Sequence, residues 1–138
     1  MGKSKKYAAF LSYAEPDKQL VEALYDVFSL AEVAVYFAGD GLSAAGSPEW
    51  RKEIIKMIRA SDCFVPIYTR QSLRRPWVLY ETGIADCGNL QRFASRVSSV
   101  SIAEITKLPA PEVQVYNLFK IDDRRNLIIN VKARHAGK

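Results

Sequence analysis

The sequence predicts an α/β domain with a central, mainly parallel sheet and helices on both faces. Short apolar runs alternate along the chain with segments in which apolar residues recur every three or four positions, so strands and helices follow one another. A length of 138 residues fits one domain, and 49% hydrophobic with 25% charged residues is typical of a globular chain. No apolar run approaches the roughly 20 residues that cross a bilayer.

The first half of the chain contains two strand–helix units. The run Tyr7–Tyr13 is apolar and has the length of a buried strand. Asp17 is placed to cap a helix in which leucine, valine and phenylalanine recur at helical spacing. Val33–Phe37 is rich in β-branched and aromatic residues and predicts the second strand. A glycine-rich loop at 38–47 separates this strand from a helix that Pro48 opens.

A third strand and a third helix follow in the middle of the chain. Asp62–Tyr68 predicts a strand, although Pro66 within it lacks the N–H that a central strand uses. We retain this strand because the alternation on both sides requires one here. Pro76 opens a helix that extends to about Asp86, and Gly88 is placed to end it.

The last third of the chain carries weaker signals. Val97–Ile102 and residues 113–119 predict two further strands, and Asp122 is placed to cap a final helix. About five strands alternating with helices fit a flavodoxin-like three-layer sandwich. In such a sheet, ligands bind outside the carboxyl ends of the strands.

The net charge of +5 lies at the two ends of the chain and not in its middle. Residues 1–6 carry +3 and residues 120–138 carry +4, which leaves −2 for residues 7–119. A basic groove on the folded domain is therefore not expected. Neither nucleic acid nor a membrane is expected as a direct partner.

The cysteines and the single histidine exclude several kinds of catalytic and metal site. Cys63 and Cys87 lie in apolar surroundings without metal-ligand spacing, and both are interpreted as buried free thiols. His135 is the only histidine, so neither a metal site nor Ser–His or Cys–His catalysis is expected. The first residues, MGKSKKYAAFLSYA, lack a small-residue cleavage site, and the chain is expected to be cytoplasmic.

The predicted carboxyl edge of the sheet gathers residues 12–14, the loop at 38–47 and residues 69–75. Three arginines of the last segment are suited to bidentate contacts with a pyrophosphate: Arg70, Arg74 and Arg75. An arginine run before a helix is equally consistent with an ordinary solvated surface, and both interpretations stay open.

The helix from Pro76 carries the most informative pair of residues. Trp77 and Glu81 are four positions apart and therefore lie on one helix face near the loop-bearing edge. An indole that stacks on a ring and a carboxylate that holds ribose hydroxyls suit a nucleotide. At this spacing a tryptophan can equally be part of the core and a glutamate can be solvated. No glycine-rich phosphate-binding motif accompanies the pair.

Four segments in order resemble a TIR (Toll/interleukin-1 receptor) domain, and its bacterial NAD-hydrolase branch most. They are AAFLSY, VAVYF with the glycine-rich loop behind it, SDCFVPIY and PWVLYE. The resemblance is good over residues 7–89 and loose over 97–134. It implies a TIR domain at 7–134 between a basic tail at 1–6 and a tail at 135–138, where a linker to a further domain would begin.

The resemblance implies cleavage of the nicotinamide–ribose bond of NAD+, giving nicotinamide and ADP-ribose or a cyclic or modified ADP-ribose. The family's catalytic glutamate falls on Glu81. NAD+ is then a substrate, and no cofactor and no metal are expected. The residues expected to bind the substrate are Ser12, Tyr13, Phe37, Asp40 and Trp77.

The resemblance also implies partners. In the family, the loop at 38–47 contacts neighbouring TIR domains, so self-association and a sensor domain or partner subunit are expected, as in an effector of bacterial immunity. Two alternatives remain: a non-catalytic TIR–TIR scaffold and an enzyme similar to nucleoside deoxyribosyltransferases. The residues of this interaction loop are Gly39, Gly41, Leu42 and Gly46.

Overall fold

The computed structural model describes residues 5–39, 48–74, 76–88, 90–97, 99–106 and 115–137. The side chains at 38–39, 48–51, 76–80, 86, 102 and 106 lie outside the description. Three residues of the predicted interaction loop, Gly41, Leu42 and Gly46, therefore lie outside the described residues, as does the predicted substrate-binding residue Asp40.

Strands and helices follow one another in the described chain, except that two helices come in succession after the third strand and two strands come in succession after those helices. A single 3-10 turn at Glu15–Asp17 precedes the first helix. The strands are β1 (Tyr7–Tyr13), β2 (Val35–Gly39), β3 (Ser61–Tyr68), β4 (Gln91–Arg92), β5 (Ala94–Arg96) and β6 (Val115–Asn117). The helices are α1 (Lys18–Leu30), α2 (Pro48–Arg59), α3 (Arg70–Leu73), α4 (Pro76–Cys87), α5 (Ile102–Thr106) and α6 (Ile121–His135).

The strands form one parallel sheet in the order β2-β1-β3-β5-β6, with the short β4 beside β3. This is the flavodoxin-like order, and the predicted fold class is confirmed. The order reverses between β1 and β3, because the chain leaves β1 toward β2 and later returns to the other side of β1. Ser12 lies at this point, beside Ala38 of β2 and Pro66 of β3.

Pro66 fits in the central strand β3 because of where its missing N–H would point. The Phe64 carbonyl oxygen accepts a hydrogen bond from the Phe93 N–H (2.9 Å), and the Tyr68 carbonyl oxygen accepts one from the Val97 N–H (3.3 Å). The backbone polar groups of Phe64 and Tyr68 therefore point toward β4 and β5. The backbone groups of alternate residues in a strand point to the same neighbouring strand, so the backbone nitrogen of Pro66 points to that side as well. There β3 pairs with β4 up to Phe64 and with β5 only from Ile67, so Pro66 lies in the gap.

The sheet separates two hydrophobic cores. Since successive side chains of a strand point to opposite faces, Leu11 packs toward α1 and α6, while Phe10 packs toward α2 and α4. Phe28 of α1 fills the first core, and Ile54 and Ile58 of α2 fill the second; all are fully buried. The helices therefore lie on both faces, as the alternation of elements requires.

The predicted strand at Val97–Ile102 is wrong. The strand comes earlier, at Ala94–Arg96, and Ile102 begins helix α5. A capping box is the physical reason: Glu104 N donates to Ser101 Oγ (3.2 Å) and Ser101 N donates to Glu104 Oε1 (3.1 Å). The Ser-x-x-Glu spacing at 101–104 is a sequence signal for a helix start that the apolar run obscured.

The second strand begins two residues later than predicted, at Val35. Val33 belongs to the exit turn of α1, where its N–H donates to the Phe28 carbonyl oxygen at 2.9 Å. Glu32 in this turn has φ +59°, a left-handed conformation that ends the helix.

The two predicted helix caps have different outcomes: Asp17 occupies the N-cap position of α1, as predicted, whereas the prediction that Asp122 caps α6 is wrong. Asp17 precedes α1 but makes no side-chain capping bond, because its carboxylate accepts a hydrogen bond from Thr69 Oγ1. Helix α6 begins at Ile121 after Lys120, so Asp122 lies inside the first turn. The negative charges of the acidic residues in this turn interact favourably with the positive end of the helix dipole, but these residues do not cap the helix.

The two cysteines differ, so the prediction of two buried thiols is wrong for one of them. Cys63 is fully buried in β3, whereas Cys87 is exposed at the end of α4. Burial raises the pKa of the Cys63 thiol most, and the nearby Asp62 carboxylate raises it further, to about 12. Helix α4 ends before Gly88, as predicted, and its last residue faces solvent.

Candidate active site

The candidate site lies at the carboxyl end of β1, where the strand order reverses. Ser12 is the penultimate residue of β1, and its side chain points to the face of the sheet that α4 covers. Parallel strands bring the ends of β1, β2 and β3 to one edge, so Tyr13 pairs with Gly39 in register. Crevices at such reversal points are where ligands bind in this architecture.

Glu81 contacts this edge from the middle of α4. Ser12 Oγ donates a hydrogen bond to Glu81 Oε1 at 2.5 Å, and both side chains are fully buried. The pair joins residues 69 positions apart in the sequence. Burying a carboxylate is costly unless hydrogen bonds compensate, so a fold keeps one in its interior only with polar partners around it.

The helix face that carries Glu81 is the one that packs on the sheet. Ala85, one turn further on, is fully buried in the core formed with Phe10 and Phe64. The adjacent Thr82 is 2% exposed, so α4 buries two consecutive polar side chains. The predicted partner of Glu81, Trp77, lies in the first turn of α4, and its side chain is outside the described residues.

Two predicted substrate-binding residues lie on the other face of the sheet, where Tyr13 is buried in the core and the partly buried Phe37 packs against that core. Tyr13 follows Ser12 in β1 and therefore points the opposite way, toward α1. Its ring is 5.9 Å from that of Phe37, which in turn lies 5.3 Å from Tyr25. The structure thus brings Ser12 to Glu81 and places Tyr13 and Phe37 in an aromatic cluster under α1.

A polar network that the sequence did not indicate continues along the edge at the end of β3. Thr69 donates to the Asp17 carboxylate through Oγ1, and its own N–H donates to Ser72 Oγ at 2.8 Å. Ser72 N returns a bond to Thr69 Oγ1 at 3.1 Å, which closes the capping box of α3. This network joins the turns after β1 and β3 and holds the edge in place.

The arginines proposed for a pyrophosphate divide into different environments. Arg70 pairs with the Glu104 carboxylate and donates to the Ser99 carbonyl oxygen at 2.9 Å. The Ser101 backbone N–H and the Arg70 guanidinium lower the pKa of Glu104. Arg74 is exposed, and Arg75 lies outside the described residues. Arg70 is thus engaged within the chain.

No group of three or more histidine, cysteine, aspartate or glutamate side chains gathers among the described residues in a way that would hold a metal ion. No helix among these residues has the length and apolar character to cross a membrane.

Known proteins identify the family. The family model described as "TIR domain" matches residues 9–128, so the chain belongs to the TIR domain family. No protein of curated function matches the sequence closely enough to serve as a relative.

Solved structures share the fold at low sequence identity. A metazoan TIR-STING receptor from C. gigas superposes with a TM-score of 0.70 at 17% identity, over 95% of this chain and 42% of that one. The TIR domain of the Toll-related receptor TRR-2 from Hydra magnipapillata gives 0.66 at 12% identity, over 92% and 99%. The TIR domains of the activated Roq1 resistosome, which recognises the pathogen effector XopQ, give 0.58 at 15%, over 93% and 72%. The chain spans less than half the length of the TIR-STING receptor.

Proposed function

We propose that this TIR domain is an NAD+ glycohydrolase or cyclase with Glu81 as its catalytic carboxylate. One observation supports this most: a fully buried glutamate on α4, hydrogen-bonded by Ser12, at the point where the strand order reverses. Burial of a carboxylate at a ligand-binding edge is typical of residues retained for chemistry. The position also coincides with the PWVLYE segment on which the resemblance to NAD-cleaving TIR domains rests.

The chemistry requires little more than a positioned carboxylate. Nicotinamide leaves NAD+ as a neutral group, so no general acid is needed, and positive charge develops on the ribose. A carboxylate fixed beside that ribose stabilises the charge and holds the sugar hydroxyls. Ser12 would fix the orientation of Glu81 before the substrate arrives. Since Glu81 is fully buried, substrate binding has to uncover it.

The biological role we propose is an effector in bacterial immunity that acts in the cytoplasm. Support comes from the resemblance to the bacterial branch of the family and from the immune-type assemblies among the structural neighbours. NAD+ would be the substrate, giving ADP-ribose or a cyclic or modified form of it. Other TIR domains, and a sensor domain or partner subunit, would be the partners.

The test is nicotinamide release from NAD+ by the Glu81→Gln variant. This change is nearly isosteric and leaves an oxygen that accepts from Ser12, so the fold should persist. Loss of one such electrostatic group costs about a hundredfold in rate. Glu53→Gln is the matched control, because it makes the same change at an exposed position on α2 and should leave the rate unchanged. Residual activity above about a tenth of wild type would contradict the catalytic role.

The full burial of Glu81 also favours a second candidate, a non-catalytic TIR–TIR scaffold. In that case the carboxylate only fastens α4 to β1. A scaffold would release no nicotinamide at any protein concentration. The same assay therefore separates the two candidates, provided that a melting curve shows the protein is folded.

A further inference from the structure

A second hollow lies at the carboxyl edge of the sheet, on the side that α1 covers. It is bounded by the turns that follow β1, β3, β5 and β6, and its volume is about 360 Å³. This volume falls in the range of small-molecule pockets, about 300–1,000 Å³. Glu81 reaches the same edge from α4, which covers the opposite face of the sheet. The hollow is therefore separate from the candidate active site.

The hollow has apolar walls and one exposed aromatic ring. Leu20 of α1 and Val97 behind β5 form the walls, and both are largely buried in the adjoining core. Phe119 lines the opening and is 59% exposed. The turn after β6 holds it, because Phe119 N donates to Asn117 Oδ1 and Lys120 N donates to the Asn117 carbonyl oxygen, both at 3.0 Å. Phe119 therefore offers a fixed aromatic face on which a planar ring can stack.

A carboxylate and a guanidinium line the same hollow, and each is held by a different neighbour. Asp17 Oδ2 accepts a hydrogen bond from Thr69 Oγ1. Arg70 pairs with the Glu104 carboxylate through Nη1 and donates to the Ser99 carbonyl oxygen through Nη2 at 2.9 Å. Among the described residues, these contacts use two of the five N–H donors of Arg70 and one of the two oxygens of Asp17. Fixed donors and a fixed acceptor thus remain for a ligand.

The two opposite charges decide which kind of ligand suits the hollow. A small anion would be repelled by Asp17 and a small cation by Arg70, whereas a neutral planar ring with both donors and acceptors satisfies the two side chains. Guanine has this pattern: N1–H and the N2 amino group are adjacent donors, and O6 and N7 are adjacent acceptors. Adenine offers a carboxylate only its N6 amino group, and nicotinamide offers only one amide. Guanine therefore matches a carboxylate and a guanidinium together most completely.

We propose that this hollow binds the guanine base of a nucleotide. The Asp17 carboxylate accepts from N1–H and the N2 amino group, and the Arg70 guanidinium donates to O6 and N7. The base stacks on the exposed face of Phe119. Recognition then depends on the base and not on the phosphate. This inference is independent of the chemistry at Glu81.

The test measures the binding of guanosine, inosine and adenosine monophosphates (GMP, IMP and AMP) by isothermal titration calorimetry, without NAD+. The three nucleotides share the ribose and the phosphate, so differences between them report the base. GMP should bind saturably with a Kd below about 1 mM. IMP lacks only the N2 amino group and should bind about tenfold more weakly, since one hydrogen bond to a charged group is lost. AMP, which lacks both donors and O6, should bind more weakly than IMP.

Phe119→Ala tests the stacking surface, and Ile121→Ala is its matched control. Both side chains are large, apolar and mostly exposed, at 59% and 61%, so neither change should unfold the domain. Only Phe119 lines the hollow. Phe119→Ala should weaken GMP binding about tenfold, because stacking of a base on an aromatic ring is lost. Ile121→Ala should bind GMP as the wild type does.

Asp17→Asn tests the carboxylate by a change of preference. The amide keeps an oxygen that can accept from Thr69, so the contact between the two turns should persist. Its N–H group faces the guanine donors unfavourably but suits xanthosine monophosphate, which carries a carbonyl oxygen in place of the N2 amino group. The variant should therefore bind GMP about tenfold more weakly and prefer the xanthine nucleotide. A general loss of structure would weaken both nucleotides alike.

Several results would overturn the inference. The first is that GMP shows no saturable binding up to about 1 mM. The second is that AMP or nicotinamide binds as tightly as GMP, and the third is that ribose phosphate does so, which would make this a phosphate site. The fourth is that Phe119→Ala or Asp17→Asn binds GMP like the wild type. Nicotinamide release tests the proposed function separately, because no NAD+ is present in the calorimetry.

Discussion

The hydrogen bond from Ser12 to Glu81 should be one of the strongest single side-chain contacts in this domain. Hydrogen bonds to charged groups contribute about 1.5–3 kcal/mol. Both side chains are fully buried, so no water replaces the donor when Ser12 is changed to alanine. We therefore expect Ser12→Ala to lower the free energy of unfolding by about 2–3 kcal/mol. For a domain of this size the melting temperature falls by about 10 °C.

The charge of Glu81 determines how much the hydrogen bond from Ser12 contributes to the free energy of unfolding. A double-mutant cycle measures this effect of the charge. In the Glu81→Gln background the partner is a neutral amide, for which a hydrogen bond contributes about 0.5–1.5 kcal/mol. Ser12→Ala should therefore cost about 1 kcal/mol there, which leaves a coupling free energy of about 1–2 kcal/mol between the two positions. The four proteins are compared by urea unfolding, with the slope of each transition checked for two-state behaviour.

Ser95→Ala on β5 is the matched control. Ser95 is fully buried like Ser12, but its hydroxyl has no hydrogen-bond partner among the described residues. Removing an unsatisfied hydroxyl should be neutral or slightly stabilising. If Ser12→Ala costs the same with Glu81 or with Gln at that position, or no more than Ser95→Ala does, the hydrogen bond to the carboxylate is not what stabilises the site.

Four further predictions follow, two from the thiols, one from the tryptophan and one from the loop. At pH 8 iodoacetamide should alkylate Cys87 in the folded protein but Cys63 only after unfolding; modification of native Cys63 would contradict its burial. Since the pKa of Cys63 is raised from 9.0 to about 12, its contribution to the free energy of unfolding is full below pH 9 and is lost toward pH 12, as urea titrations would reveal. Trp77→Ala should raise KM for NAD+ with near-native stability, whereas a loss of about 3–5 kcal/mol would make it a packing residue. Specific activity should rise with protein concentration and should do so less in Gly46→Pro; a flat wild-type profile would refute a shared site.

Local patterns predicted the elements that depend on neighbours in sequence. Examples are the apolar run of β1, the proline that opens α4 and the glycine that follows the end of α4. These signals predict the type of each element and place most of its bounds within two residues. The missed strand and helix near Ser101 show where this fails. There an apolar run and a capping box overlap, and the hydrogen bonds to Glu104 decide for the helix.

The sequence by itself determined the fold class and nominated Glu81, because helical spacing and the order of four segments are properties of the chain alone. Only the tertiary structure decided which nominated residues meet. Ser12 and Tyr13 are adjacent in sequence, yet the alternation of side chains along β1 sends one to Glu81 and the other into the core under α1. The partners of Asp17 and Arg70 likewise lie 52 and 34 positions away, at distances that no local pattern encodes. Contacts of this kind exist only once the sheet has brought the ends of its strands together.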